Sequence, residues 1–477
     1  MKREQMREFV IVGFFMIGFA VVAGSFYMDQ QGVAVPQHQP DVFSEGDGPI
    51  QLSAHLVQDK IFTGGDGTVS LSLTMHADDV FVDDAAVKQH VDMVIVLDQS
   101  GSMRGQKIQY AREAIQGLIS DLSEGDRFAL VGYSDGVWKY SPLTEISKRT
   151  RQNFQSIVSH IQPGGNTNLG GGLQEGIQTL LQASERGNIQ KVVLISDGLA
   201  NRGIVEPNAL GNMASIAVEN EFAISTVGVG QDFNEHVMTA IADRGAGNYY
   251  YLANPQTFAA VFQKEFSNSR TVAAHGVEIR IPLPQEASVI SASGYPISVK
   301  NNQAIINPGD VLAGQSRTIF LTLQLPVHKE QNYALSGVHL QYHSQGMVYT
   351  AALSQALEIA CVNDPNEVIA SIDQAVWEKK VLQEDFNTLR EQVAENVKKG
   401  KKDEALQQIE EYYKQNQTLN DKVGSSRVSS HLNEGLDELR DVVEETFSGS
   451  EPEVAEQQKA NAKELQFKSY QERRAKK

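Results

Sequence analysis

The stretch "VDMVIVLDQSGSM", residues 91–103, decides how the rest of the chain is read. Its apolar run, Val94-Ile95-Val96-Leu97, has no polar face, the pattern of a strand covered on both sides in a mostly parallel sheet. The run stops at Asp98, and Ser100 and Ser102 follow at every second position with Gly101 between them. Alternate spacing lets the carboxylate and both hydroxyls turn to one side of a tight loop, and the glycine relieves the crowding. A plain turn uses the same residue types, so the remainder of the chain has to separate the two readings.

Four more apolar runs follow before residue 268: "RFALVGYS", "KVVLISD", "FAISTVGVG" and "NYYYLA". Amphipathic helical segments lie between them at about 107–122, 169–186, 207–220 and 233–243. This alternation predicts an α/β domain over residues 91–268, a Rossmann-like, doubly wound, mostly parallel sheet. The flanks have a different texture. Residues 50–90 contain "TVSLSLTMH", and residues 272–361 contain "VEIRIPL", "RTIFLTLQLP", "GVHLQYH" and "MVYTAALS", all with period two. We expect the two β-rich segments to be halves of one split β-sandwich into which the α/β domain is inserted; two separate β modules are the alternative. After Asp364-Pro365, Ile372, Val376, Leu382, Phe386, Leu389, Val393 and Val397 recur at helical spacing, as do Leu432, Leu436, Leu439 and Val443. A helical hairpin or bundle is predicted over 365–447, and a mobile charged tail over 448–477.

At 477 residues the chain is long enough for two or three domains. Its 41% hydrophobic and 21% charged residues describe a folded protein. A net charge of −18 argues against nucleic acid as a main partner and suits a site that holds a cation. Cys361 is the only cysteine and so makes no internal disulfide; it reads as a small buried residue on a strand. Lys2, Arg3 and Arg7 precede "FVIVGFFMIGFAVVAGSFY", an uncharged run from Phe9 to Tyr27. This predicts a transmembrane helix within residues 1–28, with the N-terminus cytoplasmic. A linker over 29–49 follows, and the bulk of the chain is then extracytoplasmic, in the periplasm if the membrane is an inner one. Val21 and Ala23 keep a cleaved signal peptide open as the alternative.

Open α/β sheets bind ligands at the carboxyl ends of their strands. The first strand delivers Asp98, Ser100 and Ser102 there, "KVVLISDGLAN" delivers Asp197, and "GGNTNLGGGL" places Thr167 in a glycine-rich loop that opens a helix. Two carboxylates and three hydroxyls are hard oxygen donors, which select Mg²⁺, Mn²⁺ or Ca²⁺ over softer metals.

Taken together these residues resemble the metal-ion-dependent adhesion site (MIDAS) of von Willebrand factor A-type (VWA) domains, over roughly residues 90–268. The resemblance implies that Ser100, Ser102 and Thr167 contact a divalent cation directly and that Asp98 and Asp197 act mainly through water. It also implies that a protein partner supplies an Asp or Glu to the open position. The segment "SGYPISVKNNQAIINPGDVLAGQSRTIFLTLQL", residues 293–325, resembles the β region that follows this domain in bacterial relatives of calcium-activated chloride channel regulators. Inter-alpha-trypsin inhibitor heavy chains have a comparable layout. The His-Glu-x-x-His motif of the animal channel regulators is absent, so neither proteolysis nor channel regulation is carried over.

Enzyme signatures are missing. There is no G-x-x-x-x-G-K-[ST] loop, no G-x-S-x-G around Ser100 or Ser196, and no second aspartate two residues after Asp98. Asp135, in "YSDGVWKYSPLT", reads as a turn former. The expectation is a membrane-anchored, non-enzymatic protein that binds a protein partner through Mg²⁺, with Mn²⁺ or Ca²⁺ as alternatives. Two other readings stay open: a membrane scaffold forming complexes through its C-terminal helices around a structural metal, and a metal-dependent hydrolase.

Overall fold

Strand β1 (Val91–Asp98) runs through the middle of a six-stranded sheet, and all eight of its residues are buried. Its neighbours are β2 (Arg127–Tyr133), β3 (Val137–Glu145), β4 (Ile189–Ser196), β5 (Ala223–Val229) and β6 (Ala246–Leu252), in the spatial order β6-β5-β4-β1-β2-β3. Every pairing is parallel except β2 with β3. The absence of alternation in β1 has a direct cause. Val91, Met93, Ile95 and Leu97 enter one hydrophobic core, Val94 and Val96 enter another on the opposite face, and helices cover both. Helices α1 (Gln106–Asp121) and α2 (Lys148–Ser159) pack on the first core, whereas α3 (Leu169–Leu181), α4 (Pro207–Ala214) and Glu235–Arg244 pack on the second. Strand β3 was not anticipated. It is an edge strand with Trp138, Lys139 and Pro142 exposed, and proline is tolerated at an edge because no ladder bond is lost there.

The computed structural model describes residues 42–79, 90–182, 188–269 and 272–474. The expected membrane helix and most of the linker lie outside the described residues. No helix among the described residues is long and apolar enough to cross a membrane.

The β-rich segments on either side of the α/β domain pair with each other. Thr68–Ala77 runs antiparallel to Ser316–Gln324 from Thr68 opposite Gln324 to His76 opposite Ser316. Val42–Glu45 likewise pairs with Met347–Leu353. These strands belong to one eleven-stranded sheet, whose inward residues, from Val42 to Leu353, share a single core with those of a three-stranded sheet that carries Ile61 and Cys361. Cys361 is buried and free, with its sulfur 3.4 Å from the Thr63 hydroxyl. Residues 365–446 form helices around a fourth core that includes Trp377, Val381, Phe386, Val393, Ile409, Leu436 and Val443.

The charged tail expected over 448–477 is instead a 23-residue helix, Glu451–Arg473, docked on the protein. Its apolar residues are sparse, and the face it buries mixes Ala462, Leu465 and Tyr470 with polar side chains: Lys463, Ser469 and Arg473 are all less than 10% exposed. Each finds an oxygen partner: Lys463 the carboxylate of Glu235, Ser469 the carbonyl of Asn387, and Arg473 the carboxylates of Glu384 and Glu391. Hydrophobic periodicity therefore gave no signal. The start was nevertheless written in the sequence, because Ser450 and Glu453 form a reciprocal capping box with Pro452 in the first turn.

Candidate metal centre

Asp98 ends β1 and Asp197 follows β4, its neighbour in the sheet, so parallel pairing alone sets two carboxylates side by side at the carboxyl edge. Both side chains are fully buried. The Ser100 amide donates to Asp98 Oδ1 at 2.8 Å and the Ser196 hydroxyl donates to Asp98 Oδ2 at 2.8 Å, which fixes the carboxylate in the loop mouth. The Ser100 and Ser102 hydroxyls lie 3.0 Å apart, and Ser102 donates to Asp197 Oδ1 at 2.7 Å. Lys107, in the first turn of α1, donates to Asp197 Oδ2 at 2.5 Å. Ser102 is exposed whereas Ser100 and Thr167 are buried, so the cluster opens to solvent on the Ser102 side.

Thr167 reaches the same place from the loop before α3. Its amide donates to Asn201 Oδ1 at 2.9 Å, and the Asn201 amide returns a bond to the Thr167 carbonyl at 3.2 Å. Gly198 reports how close the parts come: a Cβ there would sit 3.2 Å from Ser102 Oγ and 3.5 Å from Thr167 Oγ1. The surrounding loops are stitched to one another, since Gly101 donates to the Gly165 carbonyl and Gly164 to the Gln99 carbonyl. Asp135 does sit in the turn between β2 and β3, and it also accepts from Asn166 at 2.6 Å and pairs with Arg202 at 3.1 Å, linking three loops.

All five residues singled out from the sequence thus meet at one edge of the sheet. Sequence reading missed their supports, Ser196, Lys107 and Asn201. Adjacency to Asp197 was the one available hint for Ser196, while Lys107 and Asn201 are ordinary surface types whose roles depend on tertiary contacts.

The donor set fits a hard divalent cation. Burial pushes the Asp98 carboxyl up to about 6; Ser100 and Ser196 pull it back, and the nearby charge of Asp197 adds to the rise. Two buried carboxylates beside three hydroxyls, lined by a glycine where a Cβ would intrude, form an oxygen-rich cradle that a positive charge would stabilise. Among the described residues no group of three or more His, Cys, Asp or Glu side chains is placed to hold a metal, so this hydroxyl-rich cluster is the candidate.

Comparison with known proteins agrees with the geometry. Residues 92–264 match the family model of the von Willebrand factor type A domain. Uncharacterized protein sll0103 of Synechocystis is 24% identical over 290 residues, 58% of this chain and 67% of its own length. Inter-alpha-trypsin inhibitor heavy chain H3 of Mesocricetus auratus is 30% identical over 158 residues. That match covers 32% of this chain and 18% of the heavy chain, so the chain spans under a fifth of that relative. A von Willebrand factor type A protein from Catenulispora acidiphila superimposes with a TM-score of 0.65 at 18% identity, covering 90% of this chain and 97% of that one. The likeness in fold therefore extends past the α/β sheet into the β-rich and helical regions. Residues 92–264 are thus a von Willebrand factor type A domain.

Proposed function

We propose that this protein is a non-catalytic binding protein, anchored by its N-terminal segment and displayed outside the cytoplasm, that captures a protein partner through a divalent cation. The observation that carries the reading is the convergence of Asp98, Ser100, Ser102, Thr167 and Asp197 at the carboxyl edge of the sheet, with Ser102 open to solvent. Ser100, Ser102 and Thr167 would offer hydroxyl oxygens to the metal, and Asp98 and Asp197 would supply the balancing negative charge. Mg²⁺ fits this set, as do Mn²⁺ and Ca²⁺. A cation held there supplies an electrophilic centre for an Asp or Glu oxygen of the partner.

The chain's own residues prepare that event. Ser196 and the Ser100 amide hold Asp98 in one orientation, and Asn201 holds the Thr167 backbone. Lys107 offsets the buried charge of Asp197, so a metal ion has to share that carboxylate with an ammonium group. The scaffold reading is less favoured, because the apolar side chains of helices 365–446 are gathered into a core of their own.

Calorimetric titration of Mg²⁺ and of Mn²⁺ into the detergent-solubilised full chain tests the proposal. One saturable site in the wild type, absent in Asp98→Ala, is expected. Equal binding by both proteins refutes the assignment.

A further inference from the structure

The loop between β4 and α4, residues 197–206, carries three apolar side chains turned to solvent: Leu199 is 58% exposed, Ile204 44% and Val205 36%. We propose that they form a docking rim selecting a partner segment in which the metal-bound acidic residue is flanked by aliphatic side chains. This inference rests on the metal reading above and names the partner's local chemistry.

The loop is held, not slack. Leu199 lies two residues after Asp197 and two before Asn201, whose side chain and amide both clasp Thr167. Arg202 is fastened to Asp135. Gly203, with φ +71°, turns against Asn168, whose oxygen a Cβ would meet at 2.5 Å. Ile204 lies over the start of α3, where a Cβ on Gly170 would stand 3.1 Å from its own. Apolar side chains fixed outward beside a polar cluster expose hydrocarbon to water, which is the signature of an interaction surface. Trp138, 43% exposed, stands at the start of β3, just past the turn where Asp135 receives Arg202.

Local charge identifies the occupant. The chain carries −18 overall, yet Arg104 and Arg202 stand on the loops around the site and Lys107 in the first turn of α1 beside it. The acids there are the site carboxylates Asp98 and Asp197, the latter paired with Lys107, then Asp135, paired with Arg202, and Glu206, which precedes α4. With a divalent cation offsetting Asp98 and Asp197, an incoming carboxylate meets favourable charge at the centre and hydrocarbon at the rim. An inorganic anion would leave the rim unused, and a polar acidic peptide would leave it wet.

The test uses two fluorescein-labelled peptides with one central aspartate, flanked on each side by two leucines in the first and two serines in the second. Anisotropy is measured with the full chain in Mg²⁺ and in EDTA, for wild type, Leu199→Ser and Ile204→Ser, with Mg²⁺ affinity measured in parallel. Burying about one leucine side chain corresponds to roughly tenfold in affinity. The leucine-flanked peptide is therefore expected to bind about tenfold tighter, only in Mg²⁺. The preference should shrink at least threefold in either variant while Mg²⁺ affinity is unchanged. Equal affinities, a preference that survives both substitutions, or Mg²⁺ binding without binding of either peptide overturns the rim. Failure of the wild type to bind Mg²⁺ overturns the reading beneath it.

Discussion

Replacing Glu235 by glutamine should loosen the C-terminal helix from the α/β domain. Glu235 is 4% exposed, and its two oxygens take different ammonium groups: Lys463 of the C-terminal helix at 2.8 Å, and Lys398 of the helical region. Lys463 also donates to the Phe233 carbonyl at 2.8 Å and lies 3.9 Å from the centroid of the Phe233 ring. Burial pushes the Glu235 carboxyl up, but Lys463 and Lys398 outweigh it and hold it down to about 2, against an ordinary 4.5. At about 1.4 kcal/mol per pH unit, this preference for the ionised form is worth roughly 3 kcal/mol. Glutamine removes the charge and leaves the buried Lys463 ammonium uncompensated, a change that costs about 3–5 kcal/mol in comparable pairs. The amide oxygen still accepts one hydrogen bond, so about 2–3 kcal/mol is expected here. Hydrogen exchange read by mass spectrometry on peptides from 451–473 should show protection lower by about 30- to 100-fold at pH 7.

Adding Lys463→Met to the glutamine variant should recover most of that loss, because no unpaired ammonium then stays buried. The pH dependence has a fixed sign. The folded carboxyl lies below its unfolded value, so its contribution is complete above about pH 4.5 and disappears as pH falls toward 2. Wild-type helix protection, corrected for intrinsic exchange, should fall across that window, and the glutamine variant should not. Protection within threefold of wild type at pH 7, with unchanged acid sensitivity, refutes the clamp.

Other substitutions probe separate parts of the account. Gly198→Ala places a methyl group against Ser102 and Thr167, so Mg²⁺ affinity should drop about 10- to 100-fold by calorimetry with circular dichroism unchanged. Lys107→Met leaves Asp197 without its counter-charge, so the melting temperature without metal should fall, and excess Mg²⁺ should close the gap to wild type. Tyr470→Phe removes a hydroxyl that accepts from the Tyr249 amide at 3.2 Å and donates to Asp243 at 3.1 Å. The Tyr249 amide loses this acceptor while Asp243 keeps Arg474, so the change should cost about 1–2 kcal/mol, read as reduced protection of the C-terminal helix.

The central sheet was legible because β1 and its parallel neighbours are covered on both faces, which writes them as unbroken apolar runs. The candidate site was legible because Asp98, Ser100 and Ser102 sit within five residues of one another and Asp197 directly follows the adjacent strand. Edges and docked polar surfaces were not. Strand β3 hides behind Pro142 and its exposed side chains. The C-terminal helix buries lysine and arginine through partners more than 80 residues away, such as Lys463 with Glu235 and Arg473 with Glu384. Sequence periodicity records hydrophobic burial, whereas these contacts depend on ion pairs that only the folded chain brings together.

The most direct measurement of the central claim is anomalous diffraction at the manganese edge from crystals of the protein grown with Mn²⁺. The account predicts one anomalous peak within bonding distance of the hydroxyls of Ser100, Ser102 and Thr167, and none in crystals of Asp98→Ala. Mn²⁺ bound elsewhere while those hydroxyls stay metal-free would contradict it.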